Sequence, residues 1–551
     1  MIVMVFAAVG VSAAPTPKLV EILVSELNRN FETLKEKGDP KPYFAAYAVT
    51  DTQVISMEAT SGLLAAQDTR RLRNLDVTIR VGSPKLDNYR RQPREIAQFT
   101  LGSVVSLDDS PNALKRRLWL DTDSVYRAAS VRLTNIKSAT QVKVDAADPS
   151  DDFSPAPAVV EFRTVPEYKI NEKQWAERLR GWSRRLSESP EILNAAVSFQ
   201  VQREVKTFVN TEGTRLQHGR IYARILITAR AKAFDGMDLA TSDTIEAEDP
   251  GRLPEPKAVE ARIDKVIADL RGLLKAPEVD PFVGPAILSG RASGVFFHEI
   301  FGHRIEGHRQ KDESEGQTFT KRVNKEVLPD FLSVYFDPTL KRYGGEDLYG
   351  WYDFDDEGVK ARRVSVVEKG ILKTFLMSRS PIAGFPESNG HGRRQAGAEI
   401  VARQSNLVVD SLKQVPQADL RKMLVEEIKR QGKPYGLYFE SVTGGYTTTR
   451  SQGLQAFTVI PLVVYRVFAD GRPDELVRGA DIVGTPLASF AKIVATSDKL
   501  EVFNGYCGAE SGSVPVSASS PALLVSEIEV QRKNRSQERP PLLPRPGGGG
   551  Q

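Results

Sequence analysis

The sequence predicts an α+β protein, with a mixed α/β N-terminal part followed by a large β-rich C-terminal part that carries a histidine-bearing helix. Three observations lead there. The chain of 551 residues is too long for one ordinary hydrophobic core. Helix-type and strand-type periodicities are interleaved as far as about residue 280, and strand-type runs dominate beyond it. The stretch Gly294–Gln310, GVFFHEIFGHRIEGHRQ, packs three of the five histidines behind an apolar lead-in. The expected organisation is a leader over 1–14, an α/β domain over 15–280, a β-rich domain over 281–532 and a disordered Pro/Gly-rich tail over 533–551.

Each element has a local reason. Leu19, Leu23, Leu27 and Phe31 recur at helical spacing and Gly38-Asp39-Pro40 ends the run, so a helix is expected over 18–35. Tyr43–Val49 and Gln53–Ala59 read as a strand pair turning at Thr50-Asp51-Thr52, and Leu75, Val77, Ile79 and Val81 alternate as a half-buried strand does. A helix follows over 112–133, and the segment 149–158, rich in Asp and Pro, reads as a long loop or linker. The order then repeats, with a strand over 159–164, a helix over 172–186, strands over 195–209 and 221–229 around Asn210-Thr211-Glu212-Gly213, and a helix over 258–274. From Pro281 onward the strand-like segments are 286–288, 364–368, 371–376, 457–468 and 523–530.

Composition narrows the function. Lys and Arg number 75 against 71 Asp and Glu, a net charge of +4, and the basic clusters are short and mixed with apolar residues, which argues against a nucleic-acid groove. Residues 1–14 are apolar and end in small residues, as the core and cleavage site of an export signal do, although the basic start is missing. This reading places the protein in the periplasm or outside the cell; without it the chain reads as cytoplasmic. No other run is apolar enough to span a bilayer, so the mature chain is expected to have no integral membrane segment. A single cysteine, Cys507, excludes an intramolecular disulfide.

The chemistry concentrates at His298, Glu299 and His303. Imidazoles are common zinc ligands, and a glutamate beside one of them is placed for acid/base work. Five residues separate the two histidines, giving HExxxH, and on a regular helix that turns the second about 140° from the first. The pair can converge only if the helix is widened or broken between them, and Gly302 is the plausible place. Candidates for a third ligand are Glu306, His308, His391 and Cys507, of which the glycine-flanked Cys507 has no other obvious use. The basic loop Asn389–Arg394 reads as flexible and offers His391, Arg393 and Arg394 as contacts to a substrate carboxylate or as supports behind the metal ligands, the alternative being a solvated turn. The four carboxylates of Asp353–Glu357 lack the alternating oxygen pattern of a calcium loop and read as a hairpin turn.

His298-Glu299 with His303, the turn Asp355-Asp356-Glu357-Gly358 before Gly370-Ile371-Leu372-Lys373, the run Val477–Ala480, Cys507-Gly508 and Ser513–Val516 together resemble the TldD/PmbA metallopeptidases, also called the modulator-of-gyrase family. The similarity covers about residues 281–530. It implies a peptidase dependent on Zn2+ in which His298, His303 and Cys507 hold the metal and Glu299 is the catalytic acid/base. It implies unfolded peptides as substrate and a dimer, either of this chain with itself or with a PmbA-type paralogue that lacks the motif. His308 departs from the family, which usually has an acidic residue near that position, and is expected to lie outside the metal's ligand set. The competing function is a non-catalytic, zinc-containing subunit that grips peptides or a partner protein. The intact Glu299 argues against it, since a structural metal site has no use for a base there.

Overall fold

The computed structural model describes residues 15–92, 99–140, 148–451, 456–533, 541 and 543. The expected leader at 1–14 lies outside the described residues, as does the expected tail apart from Lys533, Pro541 and Leu543.

The first sheet is eight-stranded and built mainly from four long or medium antiparallel strands, Pro42–Thr60, Leu63–Ser83, Asn194–Asn210 and Arg215–Lys232. Period-2 alternation gives it two distinct faces. Along strand Pro42–Thr60 the odd-numbered residues Ala45, Tyr47 and Val49 sit under helices Lys18–Lys37 and Pro111–Thr140. Met57 and Ala59, on the same face further along, sit under helices Glu172–Ser187 and Pro256–Lys275. The two helix-and-strand units read from the sequence therefore share one sheet, with one helix pair over each end. Helix Glu172–Ser187 shows how the residues dictate this: Trp175, Leu179, Trp182 and Leu186 fall on one stripe, and the Trp175 ring stacks on Phe199 with centroids 3.8 Å apart.

One expectation is corrected here. The chain does not turn at Thr50-Asp51-Thr52 but runs straight through it as part of Pro42–Thr60. No residue there adopts left-handed backbone, whereas Ser61 and Gly62 have φ of 51° and 77° and make the turn. Asp51 is instead a cross-strand partner, accepting from Arg71 Nη2 at 2.6 Å and Arg73 Nη2 at 2.9 Å. The segment 149–158 has no regular structure, as expected of a loop, but it is anchored: Phe153 is buried between the guanidiniums of Arg80 and Arg379, 3.9 and 4.0 Å from its ring centre.

The second sheet has twelve strands. Five of them, Phe282–Leu288, Gly512–Arg532, Ala480–Gly484, Phe457–Val467 and Gly436–Thr447, pair in sequence and close on themselves, because the first also pairs with both the second and the last. Helix Gly290–Ile300 leaves the end of Phe282–Leu288 and is almost wholly buried against this ring; Phe296 and Phe297 pack on Phe457 and Phe490. Among the described residues no helix is long and apolar enough to cross a membrane.

The two sheets meet through the face of the first that the helices leave free. His218 stands edge-on to Phe354, Arg220 donates to the Tyr349 carbonyl at 2.6 Å, and Lys206 donates to Asp356 at 2.6 Å. His218 is thus a core histidine, its pKa pushed down to about 3 by burial first and then by Lys206.

Burial alone would raise the Asp51 carboxyl, but Arg71 and Arg73 more than offset that and hold it below the ordinary carboxylate range. Its contribution is therefore present above that range and fades as pH falls through the folded value. Asp51→Ala leaves the buried Arg73 short of its main partner. It should lower unfolding free energy by about 3 kcal/mol. Urea denaturation at pH 7 checks this, and the gap between variant and wild type should narrow toward pH 3.

Candidate metal centre

Helix Gly290–Ile300 can approach strand Gly512–Arg532 closely because glycine faces the strand. A Cβ on Gly294 would lie 2.8 Å from the Ala518 carbonyl, and one on Gly290 would lie 2.5 Å from that of Ser520. His298 is one helical turn beyond Gly294 and so projects on the same side. Cys507 lies on the preceding strand, Ile493–Ala509, which forms a hairpin with Gly512–Arg532 whose register places Cys507 opposite Val514 and Phe503 opposite Ala518. Cys507 therefore shares a sheet face with Ala518, the face on which the helix rests. Seat and register together aim the cysteine at the histidines.

The five-residue spacing is resolved by a break. The α-helix stops at Ile300, Phe301 carries φ −109° and ψ −54°, and Gly302–Ile305 forms a tight 3₁₀ turn that swings His303 back toward His298. The turn is narrowed and not widened into an i+5 bulge. Gln404 explains why. Its amide lies where a Cβ on residue 302 would be, 1.9 Å from that position, and its Nε2 donates to the His298 carbonyl at 3.3 Å. Only glycine leaves room for a side chain to take over the carbonyl that the broken helix abandons.

The result is a cluster of His298, His303 and Cys507 whose ligand atoms all lie within 4.8 Å of one another. Cys507 Sγ is 3.3 Å from His303 Nε2, and the two imidazole centroids are 5.0 Å apart at 83°. Tetrahedral zinc with ordinary Zn–S and Zn–N lengths needs neighbouring ligand atoms about 3.5 Å apart, so this set fits after sub-ångström to ångström adjustment. Among the described residues no other such group of histidine, cysteine and carboxylate side chains appears. Glu299 is buried beside them, and Gly445 of strand Gly436–Thr447 lies against it, where a Cβ would come 2.6 Å from Glu299 Cγ.

Electrostatics prepares the donors. Burial pushes the Cys507 thiol up, but His303, His298 and Arg403 outweigh it and hold the group well below its ordinary value, as a thiolate. Burial lowers His303, yet Cys507 and Glu306 raise it to about 10. Without metal the pair is an imidazolium beside a thiolate, and a metal ion would take the place of the imidazolium proton. Glu299 is raised, chiefly by burial, which keeps its basicity closer to neutral pH than an exposed carboxylate's.

Other predicted residues separate clearly. Glu306 and His308 do not join the ligand atoms. Glu306 lies behind His303, with its Oε2 3.5 Å from Nδ1, and His308 faces Glu510 at 2.5 Å. The loop Asn389–Arg394, expected to be flexible, is buried. His391 is 0% exposed and sits between the Asn389 carbonyl and Ser405 Oγ, a position that cannot meet a substrate carboxylate without repacking. Arg393 donates to the Gln404 and Pro515 carbonyls, and Arg394 accompanies it along a cavity of about 590 Å³ between the first sheet and the loops of the second. None of the four central residues lines that cavity, which also reaches Tyr506 and Tyr222. Arg403 and Gln404 are the residues that sequence reasoning missed; both lie in the short irregular segment between strands Val401–Ala402 and Asn406–Ser411, with no motif to mark them.

Two imidazoles and a thiolate beside a buried glutamate make up a candidate metal centre. Residues 283–532 match the family model described as the PmbA/TldA metallopeptidase C-terminal domain. The metalloprotease MJ0996 of Methanocaldococcus jannaschii is 29% identical over 247 residues, 44% of this chain and 50% of that protein. A zinc metalloprotease TldD homolog of Saccharolobus solfataricus is 28% identical over 269 residues, 48% of this chain and 54% of that one. The alignments span about half the length of these relatives. Two solved structures share the fold: a Thermotoga maritima protein described as a candidate modulator of a DNA gyrase, with TM-score 0.62, 16% identity and coverage of 92% of this chain and 100% of that one, and TldE of Thermococcus kodakarensis, with TM-score 0.59, 14% identity and coverage of 91% and 99%. Similarity to the PmbA/TldA metallopeptidases is thus carried by the β-rich region of this chain.

In metal-free protein the thiolate ultraviolet absorbance should be fully developed at pH 7, below the ordinary thiol pKa of about 8.5. A pH titration followed at the thiolate band checks this. Cys507→Ser should abolish the band, and His303→Ala should move its midpoint upward.

Proposed function

We propose that this chain is a zinc-dependent peptidase acting on unstructured peptides or protein segments. The observation that carries the reading is the convergence of His298, His303 and Cys507, with Glu299 buried alongside. His303 and Cys507 are 204 residues apart in the chain. Zinc held there would supply Lewis acidity toward a peptide carbonyl and toward water.

The chain's own residues do the rest. Glu299 accepts a proton from the attacking water through its carboxylate and returns it to the departing amine, and its burial raises the carboxyl above the ordinary range, which makes it a stronger base. Gly445 keeps the space beside Glu299 open to backbone only, so this strand can lie against the carboxylate without a side chain displacing it. Arg304 fixes the turn that carries His303 to the same strand, donating to Thr447 Oγ1 at 2.6 Å and to the Thr448 carbonyl at 3.0 Å. An extended peptide is the substrate form that such a strand-lined site favours, since main-chain pairing selects for disorder more than for side chains. A dimer, of this chain alone or with a PmbA-type paralogue, is proposed as the working unit on the family resemblance of the sequence motifs.

Metal analysis and casein cleavage test the reading. Wild type should hold one zinc per chain and cleave casein. Glu299→Ala should retain the metal and lose about 10²–10⁴-fold in kcat. Zinc bound with no cleavage, alone and with the paralogue, would reject the enzyme reading. Cys507→Ser should lose zinc, and unchanged metal content would remove Cys507 from the ligand set.

Gly445→Ala inserts a methyl group 2.6 Å from Glu299 Cγ and 2.8 Å from the Thr458 carbonyl. It should cut kcat by about 10-fold or more through misplacement of the carboxylate. Zinc content should stay at the wild-type value, which steady-state kinetics with metal analysis will show.

A further inference from the structure

Behind the ligand face lies a second, fully buried constellation. Glu306, 0% exposed, directs Oε2 at His303 Nδ1 at 3.5 Å and accepts from Arg309 Nε at 2.9 Å, while its Oε1 lies 3.4 Å from Arg403 Nε. Arg403, also 0% exposed, turns its other nitrogens toward the cysteine hairpin. Nη2 donates to the Cys507 carbonyl at 2.5 Å, and Nη1 donates to Ser511 Oγ at 2.7 Å and to the Gly512 carbonyl at 3.0 Å. One guanidinium thus spans from the carboxylate behind one histidine to the backbone of the cysteine and to the turn that reverses its hairpin. Glu510 in that same turn is held again from the histidine segment, by His308 at 2.5 Å and by Arg309 Nη2 at 2.9 Å.

We propose that Arg403 and Glu306 are positioning residues for the metal, joining the His303 turn to the Cys507 hairpin so that the imidazole and thiolate are held at ligating separation. The inference rests on the zinc reading above. Its physical basis has two parts. A carboxylate facing Nδ1 fixes the tautomer and ring plane that leave Nε2 free as a ligand. The planar guanidinium fork satisfies three oxygens of one hairpin at fixed angles, which a lysine cannot do. The assignment also accounts for burial that would otherwise be costly, since the opposite charges of Glu306 and Arg403, 3.4 Å apart, offset one another where neither meets solvent.

The experiment compares zinc affinity in wild type, Arg403→Lys, Arg403→Met, Glu306→Gln and the double variant Glu306→Gln/Arg403→Met, by competition with a chromophoric chelator. Each single variant should weaken binding about 10–100-fold. The double variant should be no weaker than the product of the singles and closer to the worse single, because the two residues act through one linkage. Cobalt substitution gives a readout that a purely structural role would not move. The thiolate-to-cobalt charge-transfer band should shift or weaken in the Arg403 variants, and Arg403→Lys should recover it only in part. Should Arg403→Met fail to fold, Arg403→Lys and Glu306→Gln carry the test. If wild type binds zinc and these folded variants bind it within twofold with an unchanged cobalt spectrum, the positioning role is wrong. If wild type itself binds no zinc, the metal reading of the site fails instead.

Discussion

The seat of helix Gly290–Ile300 on strand Gly512–Arg532 is the contact on which the site depends. It requires two glycines facing carbonyls and a buried hydroxyl pair, Ser293 and Ser520, whose oxygens lie 2.6 Å apart. Behind the helix, Phe296, Phe297, Ile300 and Phe301 fill the ring of strands. The removal of that apolar surface from water supplies the driving force, and the glycines determine where the helix stops. A side chain of even one carbon at residue 294 would lift the helix off Ala518 and carry His298 away from Cys507. Packing and the convergence of His298 and Cys507 are therefore one constraint, and a long sequence separation costs nothing there once the sheet register is set.

Charge is handled by the same economy. The centre places two imidazoles, a thiolate, two glutamates and two arginines in a region almost closed to solvent. Isolated, each charge would be strongly disfavoured there; arranged as alternating partners, they stabilise one another. Glu306 shows the balance. Burial pushes its carboxyl up, but Arg309, His303 and Arg403 together bring it down to about 2, so it stays ionised behind His303. The join between the two sheets uses the same device with different residues. Arg379, buried on Phe153, donates to Glu212 at 2.7 Å and to the Ser154 carbonyl at 2.9 Å, tying the 149–158 loop and the first sheet to the second.

Much of this was legible in the sequence, for reasons particular residues make plain. Helices with long apolar stripes, such as Leu19–Phe31, and strands with strict alternation, such as Leu75–Val81, declare themselves because their periodicity is their burial pattern. The false turn at Thr50–Thr52 arose where polar residues interrupt a strand; Asp51 is polar because it pairs with arginines of the next strand, a contact invisible without the register. His298, Glu299, His303 and Cys507 stood out by scarcity and by family resemblance. Arg403 and Gln404 did not, since an arginine and a glutamine in a short polar run carry no signal until the fold places one on a cysteine carbonyl and the other on a helix end. The basic loop misled for the opposite reason. Gly390, His391 and Arg393 look like a mobile turn, yet their polar groups are consumed by neighbouring carbonyls and by Ser405.

The five-residue spacing acquires a function from these pieces. With histidines four apart on an unbroken helix, both rings emerge from a continuous hydrogen-bonded rod, and the residues behind the second ring are fixed by that helix. One added residue forces the rod to end at Ile300, and three consequences follow from the ending. The His298 carbonyl loses its helical donor and gains Gln404. His303 moves onto a 3₁₀ turn, where the residue three further on, Glu306, comes level with its Nδ1. Arg304, freed from the helix surface, reaches back to the Glu299 and Ile300 carbonyls and across to Thr447 and Thr448. The break that at first seems to spoil the histidine pair is thus what gives each histidine its own supporting side chain, and it ties Glu299, the histidines and the neighbouring strand together.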